Sequence, residues 1–294
     1  MLQAKNWRLT SCNAQLENKM NHQNINIKKL NTNSAPAFSI AIVHYKTLEL
    51  TQICLELLKK HLDNGDLDAK KVDVWVVDNG SKDASSEYLR GLDWIHLIVR
   101  EPNESEEGFA AHGAGLNLIF AQIKTDFVFL MHTDTFIYNS QVFDFMLQKC
   151  TAEVAVVGCL EQLNRGYLRT AWRLSSRFCK HYIRHAKLAI GLKSKEPKPY
   201  RETYIKSFFA LWNAKLMREK SYTFMMQNRI PGYELQDLFL ANGYKIITIS
   251  AMKLFTFLDH VEAGTVGLKK GYTDLNRRVK HKMQILKKLD LDKK

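Results

Sequence analysis

No run of about 18 consecutive apolar residues occurs in this chain of 294 residues, so nothing in it reads as a membrane-spanning helix. The amino terminus also lacks the apolar core of a secretory leader. Residues 1–36 are instead rich in Asn, Gln and Lys, the composition of a loosely ordered segment, and Met20 offers an alternative start. The five cysteines, Cys12, Cys54, Cys150, Cys159 and Cys179, form no Cys-x-x-Cys pair, and an odd set without pattern fits a reducing cytosol. There is no internal repeat. Zinc-ligand spacing, an RNP aromatic motif and a Gly-x-x-Gly clamp are all missing, which argues against a nucleic-acid partner despite a pI near 9.4. The expectation is a cytoplasmic protein, soluble or peripheral.

What is present is an alternation of strands and helices. Phe38 to His44 is an apolar run, and Leu48 to Leu62 follows it with Leu50, Cys54, Leu57, Leu58 and His61 near helical spacing. Val72 to Val77 is nearly all apolar and β-branched or aromatic, the pattern of a strand buried on both faces of a parallel sheet. The order repeats as a strand from Ile95 to Val99, a helix from Phe109 to Ile123 and a strand from Phe127 to Met131. Such βαβ repetition predicts a doubly wound α/β fold. No Gly-x-Gly-x-x-Gly lies between the first strand and its helix, which weakens the dinucleotide-binding alternative. Further strand signal runs from Lys253 to Leu258, and Lys193 to Tyr200 reads as a linker near the acceptor.

Ligands of open α/β sheets bind outside the carboxyl ends of the strands, and acids stand there. Asp78 closes Val74-Trp-Val-Val-Asp-Asn-Gly-Ser81, where Gly80 allows a sharp turn and Ser81 or Asp83 caps the next helix. Asp78 either meets a polar ligand or serves the turn itself. Asp134 closes Phe129-Leu-Met-His-Thr-Asp134, a ligand acid or a loop acid. Between them, Gly108-Phe109-Ala-Ala-His112-Gly113 opens a helix with small residues, which permit either close ligand approach or tight helix packing. Later, Glu234 and Asp237 lie three residues apart and share one helix face, and His260 follows an apolar run.

Taken in order, these segments resemble the family 2 glycosyltransferases of GT-A fold, including rhamnosyltransferase-like enzymes of bacterial surface polysaccharides. The resemblance runs from about Phe38 to Gly267. It implies an α/β GT-A fold with a Rossmann-like, mostly parallel central sheet, helices on both faces and a basic helical extension. Residues 37–267 would form the transferase domain, with a donor half over 37–135 and an acceptor half over 136–267. It further implies donor contacts from His44, Tyr45, Asp78, Asn79, Gly80, Ser81, Gly108, Phe109, His112, His132 and Thr133. A divalent cation, Mn or Mg, would be held by Asp134 and His260. Two positions depart from the family pattern: His132 replaces its first acid before Asp134, and Leu235 replaces the acid that deprotonates the acceptor. Glu234 or Asp237 is left as the base, with Glu234 favoured.

Charge supplies a second layer. The net charge of +13 is concentrated. Between residues 165 and 198 ten basic side chains face Glu196 alone, and Arg165, Arg169, Arg173 and Arg177 recur every fourth residue opposite Leu168, Trp172, Cys179, Tyr182 and Ala186. This is a basic amphipathic helix, suited to an anionic membrane surface or a phosphorylated acceptor. Residues 268–294 read as a second basic helix, either membrane-facing or a solvated face.

The function expected is an inverting, metal-assisted transferase that moves sugar from a UDP- or dTDP-sugar to a glycan or lipid-linked glycan. Its place would be the inner face of the cytoplasmic membrane. The alternative is a non-catalytic GT-A-like module that binds anionic membrane or nucleic acid through its basic helices.

Overall fold

The computed structural model describes residues 25–30, 36–103, 106, 108–160, 166–197 and 199–261. Its centre is an eight-stranded sheet of order β1-β4-β3-β2-β5-β8-β7-β9. Strands β2 (Phe38–His44), β3 (Val72–Asp78), β4 (His96–Val99) and β5 (Phe127–His132) are mutually parallel. The expected α/β architecture holds, and the sheet is mostly parallel.

Alternation along each strand divides the core in two. Ile40, Ile42, Val74 and Val76 pack into one cluster, Ala41, Val43, Trp75 and Val77 into the other. Helix α1 (Leu48–Asp63) covers the first with Leu50, Cys54, Leu57 and Leu58. Helix α3 (Phe109–Gln122) covers the second with Leu116, Ile119 and Phe120. Between them in sequence, α2 (Ala84–Gly91) starts at Asp83, whose side chain accepts from the Ser85 N–H. Because β2, β3 and β5 run parallel, all their carboxyl ends meet one edge of the sheet, and there the candidate acids gather.

Residues 135–261 continue the fold, and β7, β8 and β9 join the same sheet. After β6 (Thr135–Ile137) and α4 (Gln141–Leu147) come β7 (Val154–Gly158), the long α5 (Gly166–Ala189) and β8 (Phe209–Asn213). Strand β8 lies antiparallel between β5 and β7. The chain then runs through α6 (Ala214–Lys220), α7 (Tyr233–Ala241), β9 (Lys245–Thr248), α8 (Ala251–Leu254) and β10 (Leu258–His260). Strand β10 pairs antiparallel with β6 in a small second sheet.

Two expectations are corrected. The apolar run from Lys253 to Leu258 is not one strand. Ser250 accepts from the Lys253 N–H and starts α8, so Leu254, Phe257 and Leu258 are buried through a helical turn, and only the last of them enters β10. Within the stretch expected to be loosely ordered, Asn26–Lys28 forms β1, an antiparallel edge strand on β4. The Leu30 N–H donates to His96 Nδ1 over 2.9 Å, and His96 Nε2 meets Asp73 at 2.6 Å. The basic carboxyl-terminal helix expected over 268–294 lies outside the described residues, as does Arg165.

Candidate active site

The Asp78 turn is built from its own hydrogen bonds. Asp78 accepts from the Ser81 N–H (3.0 Å) and from the Ser86 hydroxyl, and its carbonyl accepts from the Arg100 N–H (3.1 Å). Gly80 has φ +74°, and a Cβ there would stand 2.9 Å from Pro102 Cδ, so both conformation and space require glycine. Asn79 donates to the Ala111 carbonyl of α3 (2.9 Å), tying this turn to the start of that helix, while its buried Oδ1 has no partner among the described residues. A cavity of about 510 Å³ opens beside the turn, lined by Asp78, Gly80, Ser86, Arg90 and Arg100 among others.

His44 occupies a different place from the one expected of a donor contact. It is fully buried, with Nδ1 2.9 Å from Thr51 Oγ1 and Nε2 2.7 Å from Ser85 Oγ, so both ring nitrogens are used within the protein. Burial also lowers its pKa. It belongs to a polar line beneath the strand ends: Thr133 Oγ1 to Thr47 Oγ1 (3.1 Å), Thr47 to Thr51 (3.2 Å), Thr51 to His44, His44 to Ser85, and the Ser85 hydroxyl to Asp83. Thr133 enters the site through that line. Tyr45 follows β2 half-buried, and Gly108 (φ +56°) and Phe109 are exposed at the start of α3.

Asp134 and His260 are brought together by the small sheet. Its register sets His260 opposite Thr135, and the Val261 N–H donates to the Asp134 carbonyl over 2.9 Å. His260 Nε2 is 3.1 Å and His132 Nδ1 3.8 Å from Asp134 Oδ1. One ligand atom from each of His132, Asp134 and His260 lies within 4.8 Å of the others, close enough for all three to share one divalent cation. His132 Nε2 sits 3.1 Å from Ser207 Oγ, which leaves Nδ1 for the cluster. His132, expected among the donor contacts, therefore joins Asp134 and His260.

Phe208, which local pattern does not reveal, and His112, expected among the donor contacts, both pack against the cluster. The Phe208 carbonyl accepts from the His132 N–H (3.0 Å) and the Thr135 hydroxyl (2.9 Å), and the Phe208 ring stacks on His260 with centroids 4.5 Å apart. His112, on the first turn of α3, packs edge-on against His132 at 5.2 Å. Burial pushes the His112 imidazole down to about 4 and that of His132 to about 3, so both are neutral near pH 7 and chemically able to bind metal. Two imidazoles and one carboxylate form a mixed nitrogen and oxygen donor set. It fits a transition-type divalent ion such as manganese, whereas magnesium is usually bound by oxygen alone.

Glu234 and Asp237 do share a face of α7, and a cation stands between them. Arg229 Nη1 donates to Glu234 Oε2 (2.6 Å) and Asp237 Oδ2 (2.8 Å), and Nη2 donates to the Tyr204 hydroxyl (2.9 Å). Tyr204 in turn donates to Asp237 (3.0 Å) and stacks on Tyr233 at 3.9 Å. These contacts raise the pKa of Arg229. Leu235 is completely buried in the second core cluster, so the position where the family carries its acid faces inward here. Gln236, also buried, accepts from the Ile205 N–H and donates to the Thr203 carbonyl, fixing the segment that carries Tyr204.

Of the arginine stripe, the side chain described is that of Arg177, 3.0 Å from Glu202; those of Arg169 and Arg173 lie outside the described residues. No described helix is long and apolar enough to cross a membrane.

Three solved structures show how far the likeness to known proteins extends. Mannosyltransferase PcManGT from Pyrobaculum calidifontis, solved with GDP-Man and Mn2+, is 16% identical with a TM-score of 0.47, covering 83% of this chain and 61% of its own. S. aureus TarS 1-349 is 18% identical with a TM-score of 0.45, covering 72% of this chain and 57% of its own. Glucosyl-3-phosphoglycerate synthase from Mycobacterium tuberculosis, solved with Mn2+, UDP and glucosyl-3-phosphoglycerate, is 11% identical with a TM-score of 0.46, covering 83% of this chain and 78% of its own. The chain thus spans less than two thirds of the first two. No curated protein sequence matches. The family model described as glycosyl transferase family 2 matches residues 39–223, more than half of the 294, and this chain belongs to that family.

Proposed function

We propose that this protein is an inverting glycosyltransferase acting on a nucleotide-diphosphate sugar, with UDP or dTDP as the favoured carrier. The acceptor is a glycan or lipid-linked glycan of the surface-polysaccharide class, such as LPS, O-antigen or capsule, met at the inner face of the cytoplasmic membrane. One observation carries the reading: in a family 2 chain, His132, Asp134 and His260 converge at the sheet edge that also holds the Asp78 turn. Registers of β3 on β2 and β2 on β5 set Asp78 and His132 two strands apart, about 10 Å. A nucleoside can lie at the first and its diphosphate at the second.

Asp134, His260 and His132 would hold a divalent cation, which when bound neutralises charge on the leaving diphosphate. The remaining work belongs to the chain. The Asp78 turn and its cavity orient the nucleoside. Glu234 or Asp237 takes the acceptor proton as the hydroxyl oxygen bonds to the anomeric carbon and the bond to the diphosphate breaks. Arg229 fixes both carboxylates through one oxygen each and leaves the other oxygen of either acid to receive that proton.

The test is the melting temperature with UDP, GDP, dTDP and CMP, each with and without manganese. A ligand at a hundred times its dissociation constant stabilises by about 2.7 kcal/mol. A shift with one nucleotide that requires manganese supports the reading; no shift with any of them favours the non-catalytic binding module.

A further inference from the structure

Helix α5 carries two lines of side chains that are largely exposed among the described residues. Trp172, Cys179, Ile183, Ala186 and Ile190 follow one another at intervals of seven, four, three and four, one apolar line along the helix and just beyond its end. Trp172 is 77%, Ile183 54% and Ile190 71% exposed. Phe178 and Tyr182 broaden this line on one side and are likewise exposed. Arg177, Lys180, Arg184 and Lys187 form a parallel basic line at intervals of three, four and three. Lys193 and Lys195 extend the charge past the helix.

We propose that α5 is a docking helix for an anionic lipid bilayer, with its apolar line in the headgroup boundary and its basic line on the lipid phosphates. This deepens the membrane placement given above and rests on it only for location, since it requires none of the transfer chemistry. Charge complementarity selects the occupant. A surface that accepts Trp172 and Ile183 must offer apolar depth, and one that accepts the adjacent cations must be anionic along the whole helix; a bilayer with acidic headgroups provides both. Tryptophan and tyrosine have the amphipathic rings that favour that boundary. The helix is tied to the segment that follows it: Arg177 meets Glu202 at 3.0 Å, and Phe178 packs on Tyr200 at 5.2 Å. That segment continues into Tyr204 of the Arg229 cluster, so docking holds the candidate acceptor acids near the lipid surface.

The experiment is flotation of the full chain with vesicles of phosphatidylcholine alone or mixed with phosphatidylglycerol. It compares wild type with a Trp172→Glu, Ile183→Glu pair and a Lys180→Glu, Arg184→Glu, Lys187→Glu triple, all exposed except the half-buried Arg184. Expected are flotation only with the anionic vesicles, weakening at high salt, and a drop in partitioning of about fivefold or more in each variant. Absence of flotation, or equal flotation of all three proteins, overturns the proposal. So does a wild-type dimer in solution that Ile183→Glu dissociates, which assigns the face to a second copy. Failure of the transferase reading is separable: both variants retain whatever manganese-dependent nucleotide shift the wild type has, and its absence from wild type leaves the docking result intact.

Discussion

Asp134 stands within reach of two imidazoles, and its replacement separates metal binding from folding. Asp134→Asn keeps the shape and removes the charge. Turnover should fall at least a thousandfold and the manganese-dependent nucleotide shift should vanish, with the melting temperature of the free protein changed by no more than about 3 °C. The proton acceptor is settled in the same way. Glu234→Gln and Asp237→Asn should leave the nucleotide shift in place, and the true base is the one whose loss lowers kcat by about 10²–10⁴. Full turnover in both removes the assignment. Asp134 and His260 were legible in the sequence because each closes an apolar run. Arg229, Ser207 and Phe208 were not: Ser207 and Phe208 lie far along the chain from His132 and Thr135, and Arg229, though only five residues before Glu234, has nothing local to distinguish it from a solvated loop cation.

Protonation sets a second expectation at this scale. His44, His112 and His132 are held neutral by burial, with His112 near 4 and His132 near 3, against about 6.5 in an unfolded chain. Below pH 6.5 the unfolded chain gains protons that the folded one refuses. Stability from these groups is therefore full above that pH and declines as pH falls toward 4. Between pH 7 and pH 5, His112 alone accounts for a loss of about 2 kcal/mol. A melting-temperature series in metal-free buffer should show the decline, with a shallower slope in His112→Gln.

Among the elements, α3 is tightly seated at two glycines. A Cβ on Gly113 would meet Met225 Sδ at 2.8 Å and Pro231 Cγ at 2.9 Å, and one on Gly115 would stand 3.2 Å from the Val43 methyls. Gly113→Ala should destabilise by about 1–3 kcal/mol, read as a lower urea midpoint at unchanged slope. Gly115→Ala should cost less, because a methyl contact yields more readily. The small residues here had two open explanations in the sequence, ligand approach and helix packing; the packing is now visible at both glycines. Strands β2, β3 and β5 were legible because burial on both faces writes a continuous apolar run. The segment before β10 was not, since Leu254, Phe257 and Leu258 satisfy a helical turn as well as a strand.

At the scale of the molecule, the two halves of the described chain share one sheet. Strand β5 of the first half pairs directly with β8 of the second, and the cluster at Asp134 needs His260 from the far end of the described chain. Calorimetry should therefore give a single cooperative transition with equal calorimetric and van't Hoff enthalpies. Two separated transitions would mean that the halves fold independently. The family match ends at residue 223, yet α7 and β10 beyond it supply the candidate base and a candidate metal ligand.

The polar line under the strand ends has a direction. Asp83 can only accept, so the one hydroxyl hydrogen of Ser85 is committed to it, and Ser85 must in turn accept from His44 Nε2. His44 is then the Nε2–H tautomer, its bare Nδ1 takes the hydrogen of Thr51, Thr51 takes that of Thr47, and Thr47 takes that of Thr133. Every hydrogen points toward Asp83. Across three strands, a carboxylate at the mouth of α2 thus turns the Thr133 oxygen, beside Asp134, into a pure electron-pair donor toward the cleft, adding to the attraction for a cation without adding a charge.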